Sequence, residues 1–270
     1  MRLINRSFEI LRQEGLLSFV YSVKQYIHYN TYHRISAAWY GLGSGRVCSI
    51  CGWEGSQFLP FGVEQRPDSA CPKCGAKERH RLIWEYFSRE YTYESGVDVL
   101  YFAPVDGLEQ KLRDEESITV TTTDLMQPDV DFQADITELP FADGSFDIIL
   151  CSHVLEHVPN DDLALKELYR VLRTDGEAII LVPQDRERKE TYEDPTITTE
   201  EGREEAFGQS DHVRWYGRDV EEIISSAGFE VSTIDYVSQF DESYINKHRL
   251  RESDKWTHSP TRIFRCSKPE

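Results

Sequence analysis

An α/β fold built on an open, mostly parallel sheet is predicted by three features of this sequence. Residues 133 to 183 read as strand, helix, strand, a crossover of the kind that joins parallel neighbours. Two further apolar or β-branched runs, Val97 to Phe102 and Ile118 to Thr123, flank a helical stretch from Leu108 to Arg113. Asp124 then closes the second run 21 residues after Ala103, the spacing at which nucleotide-binding βαβ units place an acid.

Ahead of this sheet the chain is different in kind. Residues 1–46 carry six basic side chains against Glu9 and Glu14, although the whole chain of 270 residues has a net charge of −18. Ile4, Phe8 and Leu11 form one helical stripe; Leu16, Phe19, Val20, Val23 and Ile27 form a second. Residues 1–45 are therefore read as a basic amphipathic helical segment. A peripheral contact of residues 1–40 with an anionic membrane surface is one expectation, and packing on the core or on another subunit is the alternative. No run is long and apolar enough to span a bilayer, and the start lacks the features of a secretory leader. A cytoplasmic protein, placed at the inner face of the membrane if the amphipathic segment binds there, is expected.

Cys48-x2-Cys51 and Cys71-x2-Cys74 are two knuckles, each followed by glycine (Gly52, Gly75). Four thiolates at this spacing suit a closed, structural tetrahedral zinc site, with iron as the alternative. Residues 46–76 are read as a zinc ribbon. A helix follows whose first turn, Lys77 to Arg81, is basic and so opposes its own dipole. That placement predicts a contact for Arg79, His80 and Arg81 with a ligand or with acids of the same chain.

In the central stretch, Phe146 to Leu150 is a buried-strand run that ends near Ser152, His153, Glu156 and His157. Asn160 to Asp162 supply an N-cap and first-turn acids, and Leu163, Glu167, Leu168, Val171 and Leu172 recur at helical spacing up to Asp175-Gly176. Ala178 to Val182 is the next strand. His153 and His157 beside Glu156 suggest a metal pair, but the order is not that of the H-E-x-x-H signature. Taken together, DITELPFADGSFDIILCSHVLEHV and ELYRVLRTDGEAIILVP resemble the class I S-adenosylmethionine (SAM) dependent methyltransferases of the type 11 group. The resemblance covers about residues 97 to 267, so residues 77–270 are read as that domain.

The resemblance implies a Rossmann-like sheet, mostly parallel with its last strand antiparallel, from Phe229–Val237 and Thr261–Cys266. It implies SAM as cofactor. Asp124 would hold the ribose, Asp135 the adenine amino group with Ile136 beside the ring, and Ser152 and His153 the methionine end. The family's glycine-rich turn is reduced here to Ala103-Pro104-Val105-Asp106-Gly107. Ala103, Asp106 and Gly107 must serve there instead, with Asp106 toward the ammonium. The connection at residues 184–217 is long and polar; in this family it shapes the acceptor pocket. His212, Asp211 and His157 are the candidate bases, and Arg214, Tyr192 and Trp215 the candidate substrate contacts. Residues 238 to 260 read as an exposed connection.

The expected function is methyl transfer to an oxygen or nitrogen of a small molecule, a sugar or a lipid-linked glycan. A zinc-ribbon RNA methyltransferase and a non-catalytic binding protein on the same fold remain open. The acidic balance speaks against general attraction to nucleic acid.

Overall fold

The computed structural model describes residues 35, 38–62, 65–91, 96–251 and 262–269. The amphipathic stripes expected between residues 1 and 34 lie outside the described residues.

Two antiparallel hairpins open the described chain, β1 (Arg46–Val47) with β2 (Glu54–Gly55) and β3 (Leu59–Phe61) with β4 (Arg66–Ala70). One cysteine knuckle follows β1 and the other follows β4. Asp68 ties the hairpins together: its carboxylate accepts from Arg46 at 2.7 Å and from the Phe58 amide at 2.8 Å.

Helix α1 (Glu78–Glu90) answers the question of its basic first turn. Arg81 is fully buried and donates to backbone carbonyls of Ala76, Ser69, His248 and Arg249. His80 is buried too, and its Nδ1 accepts from the Lys77 amide at 3.2 Å. These two residues therefore join parts of the same chain. Leu82, Ile83, Tyr86 and Phe87, on one face of α1, turn into the core.

The remaining elements build an α/β layer. They are β5 (Val97–Phe102), α2 (Asp106–Arg113), β6 (Ile118–Asp124), β7 (Phe132–Gln133), β8 (Phe146–Ser152), α3 (Asp161–Val171) and β9 (Leu172–Leu181). The insert then holds β10 (Tyr192–Glu193), α4 (Glu200–Phe207) and β11 (Arg214–Trp215), and α5 (Val220–Ser226), β12 (Glu230–Asp235), α6 (Glu242–His248) and β13 (Arg262–Ser267) complete the described chain. Seven strands pair in the order β12-β13-β9-β8-β5-β6-β7. β13 runs antiparallel to both neighbours, and the other pairs are parallel. The predicted mostly parallel sheet with an antiparallel last strand is thus present.

Continuous apolar runs in β5, β8 and β9 follow from burial on both faces. Val99, Tyr101, Ile148, Leu150, Ile179 and Leu181 face one cluster, shared with α1 and with Cys48, Phe58 and Cys71. Leu100, Phe102, Ile149, Cys151, Ala178 and Ile180 face the other, under α3 and α5. The cysteine module therefore shares a core with one face of the sheet. Among the described residues no helix is long and apolar enough to cross a membrane.

Two local expectations are corrected, and the long connection proves to carry elements of its own. The central helix ends at Val171, and residues 172–176 already belong to β9, where the pairing with β8 is irregular. Gly176 allows this: a Cβ there would stand 2.8 Å from the Asp147 carbonyl. The connection at 184–217 is ordered by a β10–β11 ribbon and α4. The stretch after residue 238 contains α6, capped by Asp241, with Ile245 and Leu250 buried. It is therefore not an exposed connection at that point.

Candidate functional site

A parallel sheet leaves backbone groups and loops at the carboxyl ends of its strands, and ligands gather there. In this chain a cavity of about 730 Å³ opens at the ends of β5, β6 and β8. Its walls include Ala103, Asp124, Ala134 to Thr137, His153, His157, Asn160 and Asp211.

Two wall residues hold backbone conformations that side chains disfavour. Ala103 has φ +47° and His153 φ +57°. The Ala103 amide is held by the Thr123 carbonyl at 3.0 Å, and the His153 amide by the Leu181 carbonyl at 2.8 Å. Ala103 thus takes up the left-handed turn that a glycine would adopt more easily, so the turn survives with a different residue. Non-glycine strain of this kind concentrates at functional sites.

Asp124 stands at the end of β6. Its Oδ1 accepts from the amides of Met126 and Gln127, both at 2.7 Å, which anchors the loop and leaves Oδ2 for a ligand. Asp135 accepts from Thr137 through the same kind of turn, at 2.8 Å to the amide and 2.7 Å to the hydroxyl. Ile136 lies beside it in the wall.

Other predicted cofactor contacts fall elsewhere. Ser152 is buried at the end of β8 and does not line the cavity. Asp106 is exposed at the start of α2 and also stays out of it. Gly107 packs on the second cysteine knuckle, where a Cβ would come within 2.6 Å of Cys74 Cβ and 2.9 Å of its sulfur. Its smallness serves helix-to-knuckle packing. Gly107→Ala is expected to destabilise the fold by about 1–3 kcal/mol through overpacking. Urea unfolding with zinc present would measure it.

The insert reaches the cavity through Asp211 alone. Arg214 is corrected from anion clamp to buried staple, 2% exposed. Its five N–H groups are taken by the carbonyls of Leu155, Val158 and Pro159 and by the Glu193 carboxylate. None is left for a substrate anion. Tyr192 pairs with Trp215 in the ribbon, and neither lines the cavity. Tyr192 packs on Phe207, and Trp215 covers Gly208, so both brace the insert.

His212 is also corrected. It is 2% exposed, behind the wall, and burial pushes its basicity down. Its Nδ1 donates to the Phe207 carbonyl at 3.1 Å. A general base must reach the proton it takes, and His212 does not reach the cavity. His157 and Asp211 do. His157 Nδ1 lies 3.2 Å from Asp211 Oδ2 and 3.3 Å from the Asp211 carbonyl. A carbonyl only accepts, so Nδ1 carries the proton and Nε2 the lone pair.

Glu156, absent from the predicted site, sits between these histidines and is fully buried. Burial opposes its charge, but His153, His157 and His212 outweigh it and hold the carboxyl at about 2. Burial lowers His153 to about 4. The signal was available as the E-H pair before Val158, but its partner His212 lies 56 residues on.

The four cysteines converge as their spacing predicts. Cys48 and Cys74 sulfurs are 3.6 Å apart, as are those of Cys51 and Cys71. That is far beyond a disulfide bond of about 2.05 Å. It is close to the separation of about 3.8 Å that tetrahedral Zn–S bonds of about 2.3 Å produce. Gly52 and Gly75, at φ +68° and +70°, donate to the first cysteine carbonyl of their knuckles at 2.9 Å each. The donor set fits a closed zinc site.

Comparison with known proteins agrees with this geometry. Residues 105–180 match the family model described as a methyltransferase domain. Demethylmenaquinone methyltransferase of Lactobacillus johnsonii is 49% identical over 49 residues, 18% of this chain and 20% of that protein. The ubiquinone/menaquinone biosynthesis C-methyltransferase UbiE of Haemophilus ducreyi is 45% identical over 49 residues, 18% and 19% of the two chains. The chain thus spans about a fifth of the length of the curated relatives it matches. The crystal structure of the [4+2]-cyclase SpnF aligns with TM-score 0.51 and 16% identity, covering 88% of this chain and 93% of that one. That likeness concerns the fold alone. The strand order and the antiparallel β13 give the chain the sheet of a class I methyltransferase fold, and residues 105–180 within it match the methyltransferase-domain model.

Proposed function

We propose that the protein is a SAM-dependent methyltransferase stabilised by a structural zinc ion. The observation that carries this reading is the meeting of Ala103, Asp124, Asp135, Ile136 and His153 in one cavity at the strand ends. SAM, when bound, supplies an activated methyl group on a sulfonium. The chain's task is then alignment and exclusion of water. Asp124 Oδ2 would accept from ribose hydroxyls. Asp135 and Ile136 would fix the adenine, and the backbone around Ala103 and His153 would border the methionine end. The zinc would be held by Cys48, Cys51, Cys71 and Cys74.

Another part of the cavity lining suits a hydroxyl-bearing acceptor. Asn160, His157 and Asp211 give it hydrogen-bonding groups, and a hydroxyl needs a proton acceptor where a carboxylate does not. We extend the reading to a sugar or lipid-linked glycan. Incubation of lipid-linked sugars with labelled SAM is expected to give a methylated product; its absence across a panel of such acceptors would remove the glycan.

Calorimetric titration with SAM and S-adenosylhomocysteine tests the cofactor. Asp124→Asn keeps one carbonyl oxygen for the loop amides but loses the charge. It is expected to weaken binding about tenfold to a hundredfold, the worth of a hydrogen bond to a charged group. A folded wild type that binds neither compound would overturn the reading.

A further inference from the structure

Glu156, His157 and His212 bring one ligand atom each to within 4.8 Å of one another. The backbone enforces this meeting. A single turn of 3-10 helix, Leu155–His157, carries the first two residues. The Val213 amide donates to the Glu156 carbonyl at 2.9 Å and so brings His212 against that turn. The rings of His157 and His212 lie 4.7 Å apart, edge to face.

The hydrogen bonds of both rings are compatible with metal ligation. Each histidine gives its Nδ1–H to a backbone carbonyl, Asp211 for His157 and Phe207 for His212. This leaves the Nε2 lone pairs for an ion, the arrangement that outer partners impose on ligating imidazoles. Glu156 supplies the independent sign. It is fully buried, and neither carboxylate oxygen accepts a well-aligned hydrogen bond; His153 Nδ1 stands 3.0 Å from Oε1 without the alignment of one. His153 thus stands beside Oε1 alone, and Oε2 has no partner among the described residues; a buried carboxylate oxygen left so is rare and suits a cation or a metal.

We propose that Glu156, His157 and His212 form a second metal centre, separate from the cysteine site, that binds a divalent transition-metal ion. Two histidines and one carboxylate suit zinc or iron(II) and leave coordination positions open. His157 lines the cavity, and Asp211 stands beside it. An ion held there would border the cavity at His157. An acceptor hydroxyl that reached such an ion would be made more acidic, and the Asp211 carboxylate beside His157 could take its proton. This role rests on the methyltransferase reading, whereas the existence of the site does not.

Cobalt(II) is the probe. Full-length protein carrying one zinc per chain in the cysteine site is titrated with cobalt chloride, followed by calorimetry and by visible absorption. One further equivalent is expected to bind, with ligand-field bands and no thiolate charge-transfer band. His157→Ala, on the cavity wall, and Glu156→Gln are each expected to weaken it at least tenfold, with thermal unfolding confirming that they fold. Failure of the wild type to take up cobalt beyond the cysteine site would sink the proposal. So would equal affinity in folded His157→Ala. SAM is titrated in parallel. SAM binding without cobalt uptake removes this centre and leaves the methyltransferase reading. Cobalt uptake without SAM binding supports the centre and removes that reading.

Discussion

Cys71→Ser is expected to abolish stoichiometric zinc and to cost the protein its cooperative unfolding transition. Structural zinc in small cysteine and histidine modules contributes about 10–16 kcal/mol of apparent binding free energy at neutral pH. Domain stabilities are about 5–15 kcal/mol. Loss of one ligand from four removes most of the zinc contribution, so the effect rivals the whole stability. It is not confined to the hairpins. Cys48, Phe58, Cys71 and Ala76 belong to the same buried cluster as Leu82, Tyr86, Val99 and Ile148. Arg81 runs from the second knuckle at Ala76 to the end of α6 at His248. Loosening the knuckle exposes one face of the sheet and unpairs a buried guanidinium. Zinc quantified with a chromophoric chelator, together with calorimetric scanning, measures both parts. A variant with wild-type metal content and an unchanged transition would show that the four sulfurs hold no structural ion.

The sheet was legible because strands covered on both faces must be apolar throughout. Val97–Phe102 is found as expected, and Phe146 and Ile118 begin their strands as read. The cysteine knuckles were legible for a similar reason: their chemistry lies within a few residues. Helix ends were harder. Leu172 continues the helical spacing of α3, yet it pairs with Phe146, because β9 begins before its regular register at Glu177.

The site divided along the same line. Asp124, Asp135 and Ile136 sit in the cavity because their position follows from strand order. Ala103 was read as a damaged turn, since one-letter sequence does not carry φ; the alanine holds the left-handed conformation at +47°. Arg81 and Arg214 could not have been read as buried. A guanidinium is buried only where enough acceptors converge, and Arg81 finds some of its own 167 residues away. Arg214, in a polar insert, resembles a solvated cation until Leu155, Val158 and Pro159 turn their carbonyls toward it.

Arg214 offers the second large effect. Replacing it by methionine keeps much of its volume and removes every donor. The carbonyls of Leu155, Val158 and Pro159 are then left facing an apolar group, and Glu193 and Asp161 lose the cation within 3.0 Å and 3.4 Å. Removing one member of a fully buried ion pair costs about 3–5 kcal/mol; Glu193 is more than half exposed, so the main loss is the three buried carbonyls left without donors, and Arg214→Met is expected to unfold at markedly lower urea. Arg214→Lys keeps the charge but presents a single point of donation. It is expected to lose about 1–3 kcal/mol, within the cost of leaving buried acceptors unsatisfied. The turn these carbonyls belong to carries Glu156 and His157, so cobalt uptake by the lysine variant should fall along with stability. The competing role as an anion clamp makes the opposite forecast, with stability unchanged and only the acceptor KM raised. Equilibrium unfolding of the two variants beside the wild type separates the two, because five internal hydrogen bonds contribute to the folded state whether or not an acceptor is present.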